Sequence, residues 1–169
     1  MGSGAVEIER TPDAASARLL RTFEDGLRII TFDPRHRDEF KRLNVAWLSK
    51  YFRVEPIDER VLGNPEDEIL RGGGEILFAL VEDEVVGTVA LKPEGGIFEL
   101  TKMAVDERWQ GRGFGKRLLD AACELARERG APKLVLYSQR TLKAAVAMYA
   151  KYGFVEVPLV DKRYARCNV

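Results

Sequence analysis

The chain is poor in the residues that build disulfide-linked or zinc-bound folds. Among its 169 residues are two cysteines, Cys123 and Cys167, and one histidine, His36. These are too few for a disulfide framework or for a structural zinc site of cysteines and histidines alone. We therefore expect no metal, and the scarcity of cysteine is typical of a protein in a reducing compartment.

The chain also lacks long hydrophobic runs and an excess of either charge. Its purely apolar runs, such as Ile76 to Val81, are far below the roughly 18 residues of a membrane helix, and the N-terminus has no apolar signal core. Lys+Arg and Asp+Glu balance at 27 each, without the basic excess typical of nucleic-acid binding. We expect a cytoplasmic monomer or homodimer that binds neither membrane nor nucleic acid.

Hydrophobic periodicity divides the chain into an N-terminal extension, residues 1–26, and a single domain, residues 27–169. The extension has only weak helical character, around Ala14 to Phe23. The first part of the domain is predicted to form a strand at Leu27 to Phe32, a helix from Asp33-Pro34 to about Phe52, a short helix at Glu55 to Leu62 and another opened by Asn64-Pro65. Three strands are predicted next, at Glu75 to Val81, Val85 to Leu91 and Ile97 to Val105. The last part is predicted to form a helix at Gly113 to Arg129, a strand at Lys133 to Tyr137, a helix at Thr141 to Tyr152, and strands at Phe154 to Val160 and Arg163 to Val169. This order predicts an α/β (α+β) fold with a mixed, mostly antiparallel sheet of about six or seven strands flanked by helices.

The most informative stretch is QGRGFG, Gln110 to Gly115, which lies between a predicted strand and a predicted helix. Its glycines alternate at Gly111, Gly113 and Gly115. Glycines let backbone N–H groups approach a ligand closely, and the helix N-terminus adds a partial positive charge. The stretch therefore predicts an anion site that suits a phosphate.

Two nucleotide-binding motifs can be compared with this loop by spacing. A P-loop would need glycine at Gln110 and Ser or Thr at Arg117, so it fails at both positions. A dinucleotide fingerprint would need glycine at Lys116 and an acidic residue where Tyr137 and Ser138 stand, which makes it a weak match that stays open.

The same residues resemble the pyrophosphate loop of the GCN5-related N-acetyltransferases, the GNAT family. That loop has Gln or Arg, two residues, Gly, one residue, then Gly or Ala, and Gln110, Gly113 and Gly115 match it. Ala145 to Phe154, AVAMYAKYGF, is similar to the family's second signature of an apolar residue, Tyr, three residues and Gly-Phe. With the preceding strand segment ELTKMAV, the resemblance covers most of residues 75–160.

The resemblance implies acetyl-CoA as co-substrate and a splayed parallel strand pair that holds it, with the pantetheine arm between the strands that end at Val105 and near Tyr137. Arg112 and Lys116 would add charge near the pyrophosphate, although both also suit a solvated helix face. Ser138 or Gln139 would replace the asparagine that relatives often place there. The implied cofactor-binding residues are Met103, Ala104, Val105, Gln110, Gly111, Arg112, Gly113, Phe114, Gly115, Lys116, Ser138 and Gln139.

The resemblance also implies direct transfer of the acetyl group to a primary amine of a small molecule or amino acid. Tyr149 would act as general acid toward the departing thiolate, or else be a core tyrosine. Glu99 would accept a proton directly or through water, or else be a surface residue. Strand alternation predicts Glu99, Thr101, Met103 and Val105 on one face.

The resemblance further implies an acceptor pocket built from the first helix and its successor, with Asn44, Trp47, Tyr51 and Phe52 as candidates. Arg166, near the end of the chain, is a further candidate substrate-binding residue. Trp47 also suits a core position. Arg166 suits either a bidentate contact to an acceptor carboxylate or a salt bridge. Cys123 is expected to be a small buried residue, since a covalent route would need an activating histidine and only His36 is present.

Two other functions stay open from sequence. One is a non-catalytic acyl-CoA sensor or interaction module with the same fold, and the other is a nucleotide-binding oxidoreductase.

Overall fold

The computed structural model describes residues 17–159, 164–167 and 169, which fold around one six-stranded sheet. The strands lie side by side in chain order: β1 (Leu19–Thr22), β2 (Leu27–Ile30), β3 (Glu75–Val81), β4 (Glu84–Glu94), β5 (Ile97–Val105) and β6 (Leu134–Val135). All neighbours are antiparallel except β5 and β6, which are parallel. The predicted mixed, mostly antiparallel sheet is confirmed.

Helices cover both faces of this sheet. They are α1 (Arg37–Tyr51), α2 (Pro56–Gly63), α3 (Phe114–Glu128) and α4 (Lys143–Lys151), with short 3₁₀ turns at Pro34–His36 and Glu107–Trp109 and a π turn at Glu66–Leu70. One core cluster joins the sheet to α3 and the other joins it to α1 and α2. Within the described ranges, no helix has both the length and the apolar character needed to cross a bilayer.

The start of the first helical segment follows from local sequence. Asp33 has an extended backbone, and its carboxylate accepts a hydrogen bond from the Arg35 N–H at 2.9 Å. Pro34 follows at the first helical position, where its missing N–H is not needed. The predicted helix start is confirmed, and α1 begins one 3₁₀ turn later.

The two ends of the described chain depart from the sequence expectations. Leu19–Thr22 forms a strand instead of the weak helix, because the edge of β2 offers backbone partners that local propensity does not register. The expected strand at Phe154 to Val160 is absent over residues 154–159, and Val160 lies outside the described residues. The expected last strand is also absent from its described residues, 164–167 and 169. The division at residue 27 stays a prediction.

The parallel pair is short and then opens. Only Phe98 pairs with Leu134 and Glu99 with Val135, after which β6 ends while β5 continues to Val105. Beyond Glu99, one edge of β5 therefore has no strand partner among the described residues. This is the splayed gap that the resemblance implied.

A β-bulge interrupts β5 beside this gap. Thr101 pairs with Ala90 and Ala104 with Thr88, so Lys102 and Met103 lie together opposite Val89. Lys102 has a left-handed backbone with φ of +53°.

Because of the bulge, the prediction that Glu99, Thr101, Met103 and Val105 lie on one face of the strand is wrong. Phe98, Leu100, Met103 and Val105 pack against the core cluster of α3, whereas Ala104 belongs to the cluster of α1 and α2. The extra residue shifts the alternation by one, so Glu99 and Thr101 face the opposite side of the sheet from Met103 and Val105.

Candidate active site

A cavity of about 750 Å³ runs along the open edge of β5, from α1 past the glycine loop to α4. Its size is typical of a pocket for a small molecule or cofactor. It brings together all the predicted site residues except Arg112, namely Asn44, Trp47, Tyr51, Glu99, Met103, Ala104, Val105, Gln110, Gly111, Gly113, Phe114, Gly115, Lys116, Ser138, Gln139, Tyr149 and Arg166.

The glycine loop forms a cradle at the start of α3. Gly111 and Gly113 each have φ of +78°, a conformation that favours glycine, and Gly113 caps the helix. The Arg117 N–H donates to the Gly113 carbonyl at 3.2 Å. The amides of residues 114–116 come before this first intrahelical bond, so the cradle presents N–H groups suited to an anion.

Gln110 fixes this loop to the end of β5. Its side-chain amide, Nε2, donates to the Val105 carbonyl at 3.1 Å. This bond holds the loop against the open strand edge, so that the two form one continuous wall of the cavity.

Trp109 is a residue that sequence reasoning missed. It lines the cavity, stacks on Phe114 with ring centroids 6.0 Å apart, and carries the Arg112 guanidinium 4.6 Å above its ring. Arg112 therefore packs on Trp109 instead of lining the cavity. Among the described residues, only the indole N–H of Trp109 is a buried side-chain donor or acceptor without a partner.

An unpaired buried donor costs free energy unless a ligand or water satisfies it. Because the indole nitrogen is buried, its N–H can be satisfied only by a group that enters this enclosed position. The signal in the sequence was the tryptophan directly before Gln110.

Tyr149 reaches the cavity from α4. Its ring is half-buried and meets Phe154 edge to face, with centroids 6.0 Å apart. Burial raises the pKa of Tyr149 to about 12. The phenol is therefore protonated at neutral pH and can donate a hydrogen bond into the cavity.

Glu99 lies at the other end of the cavity and is buried, with 1% of its surface exposed. The Tyr164 hydroxyl donates to Glu99 Oε1 at 3.0 Å. Burial, and after it the Glu99 carboxylate, raise the pKa of Tyr164. Glu99 is therefore a buried carboxylate, and not the surface residue that the sequence left as an alternative.

Arg166 forms the salt bridge that sequence left as its second possibility. Its guanidinium donates to Asp58 Oδ2 at 2.8 Å and to Glu55 Oε2 at 2.6 Å. Because two carboxylates already hold this group, the structure does not support Arg166 as a binder of an acceptor carboxylate. Arg166 makes this bridge from a turn, and not from the last strand that the sequence predicted.

Two residues of α1 and the residue that follows it form an aromatic wall at the same end of the cavity. Trp47 lies 5.3 Å from Tyr51 and 5.7 Å from Phe52 between ring centroids. Trp47 is half-buried and Tyr51 is 43% exposed, so the wall is reachable from the cavity mouth. Asn44 is buried behind it and donates to the Phe40 carbonyl at 2.9 Å.

Ser138 and Gln139 line the cavity beyond β6 but also hold the end of the chain. The Gln139 side-chain amide donates to the Arg166 carbonyl at 2.8 Å, and the backbone of Ser138 pairs with that of Val169. Cys123 lies in the α3 core cluster, where burial raises the pKa of its thiol. The expectation that Cys123 is a small buried residue is confirmed.

Comparison with known proteins gives one family. A sequence model of the acetyltransferase (GNAT) family matches residues 36–154.

Two curated relatives cover most of this chain. The mycothiol acetyltransferase of Clavibacter michiganensis is 28% identical over 151 residues, which are 86% of this chain and 48% of the relative. That of Beutenbergia cavernae is 35% identical over 154 residues, which are 84% of this chain and 50% of the relative. The chain spans about half the length of these curated relatives.

Solved structures share the fold. An acetyltransferase of the GNAT family from Staphylococcus aureus superposes with a TM-score of 0.74 at 22% identity, covering 84% of this chain and 94% of the other. An acetyltransferase from Clostridium acetobutylicum, crystallised with acetyl-CoA, superposes with a TM-score of 0.62 at 17% identity, covering 82% and 99%. At these identities the likeness shows the fold alone.

Proposed function

The chain belongs to the GNAT family of acetyltransferases, and from this premise we propose that it transfers the acetyl group of acetyl-CoA directly to a primary amine of a small molecule. The observation that carries the proposal is the single cavity, which joins the glycine cradle, the open edge of β5, Tyr149 and Glu99.

Acetyl-CoA fits the chemistry of the cavity wall. The amides at the start of α3 suit the pyrophosphate, and the free edge of β5 suits the amide-containing pantetheine arm, which can bond backbone groups as a strand would. Crystallisation of the Clostridium acetobutylicum acetyltransferase with acetyl-CoA supports this ligand for the fold.

Acetyl transfer forms a C–N bond to the amine and breaks the C–S bond of the thioester, and one proton passes overall from nitrogen to sulfur. Backbone N–H groups near Ala104 would stabilise the negative charge that develops on the acetyl oxygen. Tyr149, held protonated by its burial, would donate to the leaving sulfur.

Glu99 would take the proton that the amine loses. It faces the α1 and α2 side of the sheet, opposite Met103 and Val105, so its path to the amine runs from the acceptor end of the cavity. The geometry favours a relay through water over direct contact with the acetyl group. Tyr164 would keep the carboxylate oriented through its hydrogen bond.

The acceptor would lie against the aromatic wall of Trp47, Tyr51 and Phe52. These rings offer apolar area and faces that attract a cation, which suits the carbon skeleton or the ammonium of an amine. Because several of its curated relatives are named mycothiol acetyltransferases, the panel of acceptors to be tested includes deacetylated mycothiol along with amino acids, amino sugars and polyamines.

The test is a screen of this panel with acetyl-CoA, read by mass spectrometry as the gain of one acetyl group on the acceptor. We expect at least one amine to be acetylated by the wild type. If acetyl-CoA binds and no amine in the panel gains an acetyl group, a non-catalytic acyl-CoA sensor is favoured and the enzyme proposal is wrong.

A further inference from the structure

Lys102 adopts a backbone conformation in which glycine is usual. It is the first of the two bulge residues opposite Val89, and its φ is +53°. In bulges with a left-handed first residue that residue is usually glycine, because a Cβ crowds the backbone there. A lysine at this point therefore needs contacts that hold it.

The lysine side chain provides one such contact. Lys102 Nζ lies 2.6 Å from Asp58 Oδ1, with only 3% and 0% of the two side chains exposed. The ammonium also lies 4.9 Å from the centre of the Tyr164 ring. A buried ion pair of this kind ties β5 to α2 across 44 residues of sequence.

Asp58 is itself fixed from two other directions. It accepts from Arg166 Nη1 at 2.8 Å and Nη2 at 3.0 Å, and its Oδ2 accepts from the Glu55 N–H at 2.9 Å in the capping box of α2. Burial opposes ionisation, but Arg166 and Lys102 together keep the pKa of Asp58 below its usual value. Lys102 is thus paired with an anchored, charged carboxylate.

The bulge lies where β5 has lost its outer neighbour. Since β6 ends at Val135, no described strand fixes the outer edge of Met103 and Ala104, and both residues line the cavity. The direction of their backbone groups therefore depends on the pairing of β5 with β4, in which the bulge lies.

We propose that Lys102 is a positioning residue, whose ion pair with Asp58 holds the left-handed bulge of β5 so that the backbone beside Ala104 faces the acetyl carbonyl. This inference rests on the proposed function for the identity of the ligand. A purely stabilising ion pair would make the protein more stable but would not set the geometry of residues 102–104.

Two substitutions that differ by one methyl group separate the positioning role of Lys102 from a purely stabilising ion pair. Lys102→Ala and Lys102→Gly both remove the ammonium and leave Asp58 paired with Arg166, but only glycine adopts a positive φ without strain. Hydrogen–deuterium exchange of residues 100–105 measures whether the bulge stays closed. The carbonyl stretch of bound acetyl-CoA, labelled with ¹³C at the acetyl carbonyl, reports the hydrogen bond to its oxygen.

We expect exchange at residues 100–105 to be at least about tenfold faster in Lys102→Ala than in the wild type, and slower in Lys102→Gly than in the alanine variant. The carbonyl band should shift toward its position in free acetyl-CoA only in Lys102→Ala. Affinity for coenzyme A without the acetyl group should stay within about twofold in both variants, because the glycine cradle is untouched.

Equal exchange rates in the alanine and glycine variants, or wild-type exchange in both, would overturn the proposal. If Lys102→Ala does not fold, Lys102→Met takes its place, since it keeps most of the side-chain volume and the same backbone strain. If acetyl-CoA fails to bind even to the wild type, the proposed function is wrong, and the exchange experiment alone then decides whether Lys102 holds the bulge.

Discussion

Tyr149 combines two properties that a proton donor toward a sulfur leaving group needs. It lines the cavity on the side of β6 and α4, and its burial keeps the phenol protonated well above neutral pH. A pKa of about 12 also makes it a weak acid relative to a thiol, so its main contribution is a hydrogen bond that strengthens as negative charge develops on sulfur.

Substitution Tyr149→Phe tests this role. The variant keeps the ring and its contact with Phe154 but loses the donor, so we expect kcat to fall about 10²-fold while KM for acetyl-CoA changes less than about threefold. Steady-state kinetics with an acceptor from the screen measure both values. Tyr152→Phe is the matched control, because Tyr152 caps the end of the same helix and lines only the neighbouring cavity, whereas Tyr149 lines both; its kcat should stay at the wild-type value. An unchanged kcat in Tyr149→Phe would assign Tyr149 to the core.

The raised pKa of Tyr149 also predicts how stability depends on pH. The folded protein holds this proton more tightly than the unfolded chain, whose tyrosine has the ordinary pKa of 10.0, so the contribution is complete below pH 10 and is lost as pH rises toward 12. The free energy of unfolding should therefore fall more steeply in the wild type than in Tyr149→Phe over this range, by at most about 3 kcal/mol. Urea denaturation at a series of alkaline pH values measures the difference, and parallel curves for the two proteins would contradict it.

At the scale of elements, helix α3 has a left-handed glycine at each end. Gly113 precedes the helix with φ of +78° and Gly130 follows it with φ of +67°, and a Cβ on either would meet no atom within 4 Å. The two positions therefore impose a similar backbone cost, but only Gly113 belongs to the cradle.

This pair gives a prediction with its own control. Gly113→Ala and Gly130→Ala should each lower the free energy of unfolding by about 1 kcal/mol, since alanine is strained at positive φ. Only Gly113→Ala should also weaken coenzyme A binding, by about tenfold or more, because its methyl group points into space that a phosphate would occupy. Isothermal titration calorimetry with coenzyme A measures the affinities. Equal affinity in the two variants would argue against the loop as the pyrophosphate site.

For the whole molecule, positive and negative side chains balance at 27 each, so no global field draws an anionic cofactor to the protein. Binding must come from the local cradle and the wall of β5. A ligand that binds only the folded state then stabilises the molecule by mass action.

We therefore expect acetyl-CoA at 100 times its Kd to add about 2.7 kcal/mol to the free energy of unfolding. For a chain of this size that corresponds to a rise in Tm of about 5–10 °C in a thermal scan. NADH at the same concentration is the comparison ligand and should leave Tm unchanged. A rise with NADH and none with acetyl-CoA would favour the dinucleotide interpretation of the loop.

Much of the fold could be predicted because it is encoded locally. The bounds of β3 and β5 agree with the strands predicted at Glu75 to Val81 and Ile97 to Val105, and the Asp33-Pro34 pair sets the start of the first helical segment. Alternation failed at Lys102, since a bulge forms from the pairing of two strands and leaves no mark in the sequence of either one.

The candidate site also has features that the sequence predicted and features that only packing decided. The glycine loop and Tyr149 could be proposed from sequence, because each lies in a short motif that resembles a signature of the GNAT family. The structure gave Trp109 an unpaired N–H and moved Arg112 onto its ring, which depended on packing that no motif describes.

By itself, the sequence determined the order of the central strands and helices, the anion cradle and the family, because these depend on residues close together in the chain. Only the tertiary structure decided the cluster of Asp58, Lys102 and Arg166, whose members lie 44 and 108 positions from Asp58. Burial makes these charges pair with one another, since an ion out of water needs a partner at hydrogen-bond distance. That requirement directs Arg166 inward to Asp58 and, as we infer, lets Lys102 hold the bulge in β5.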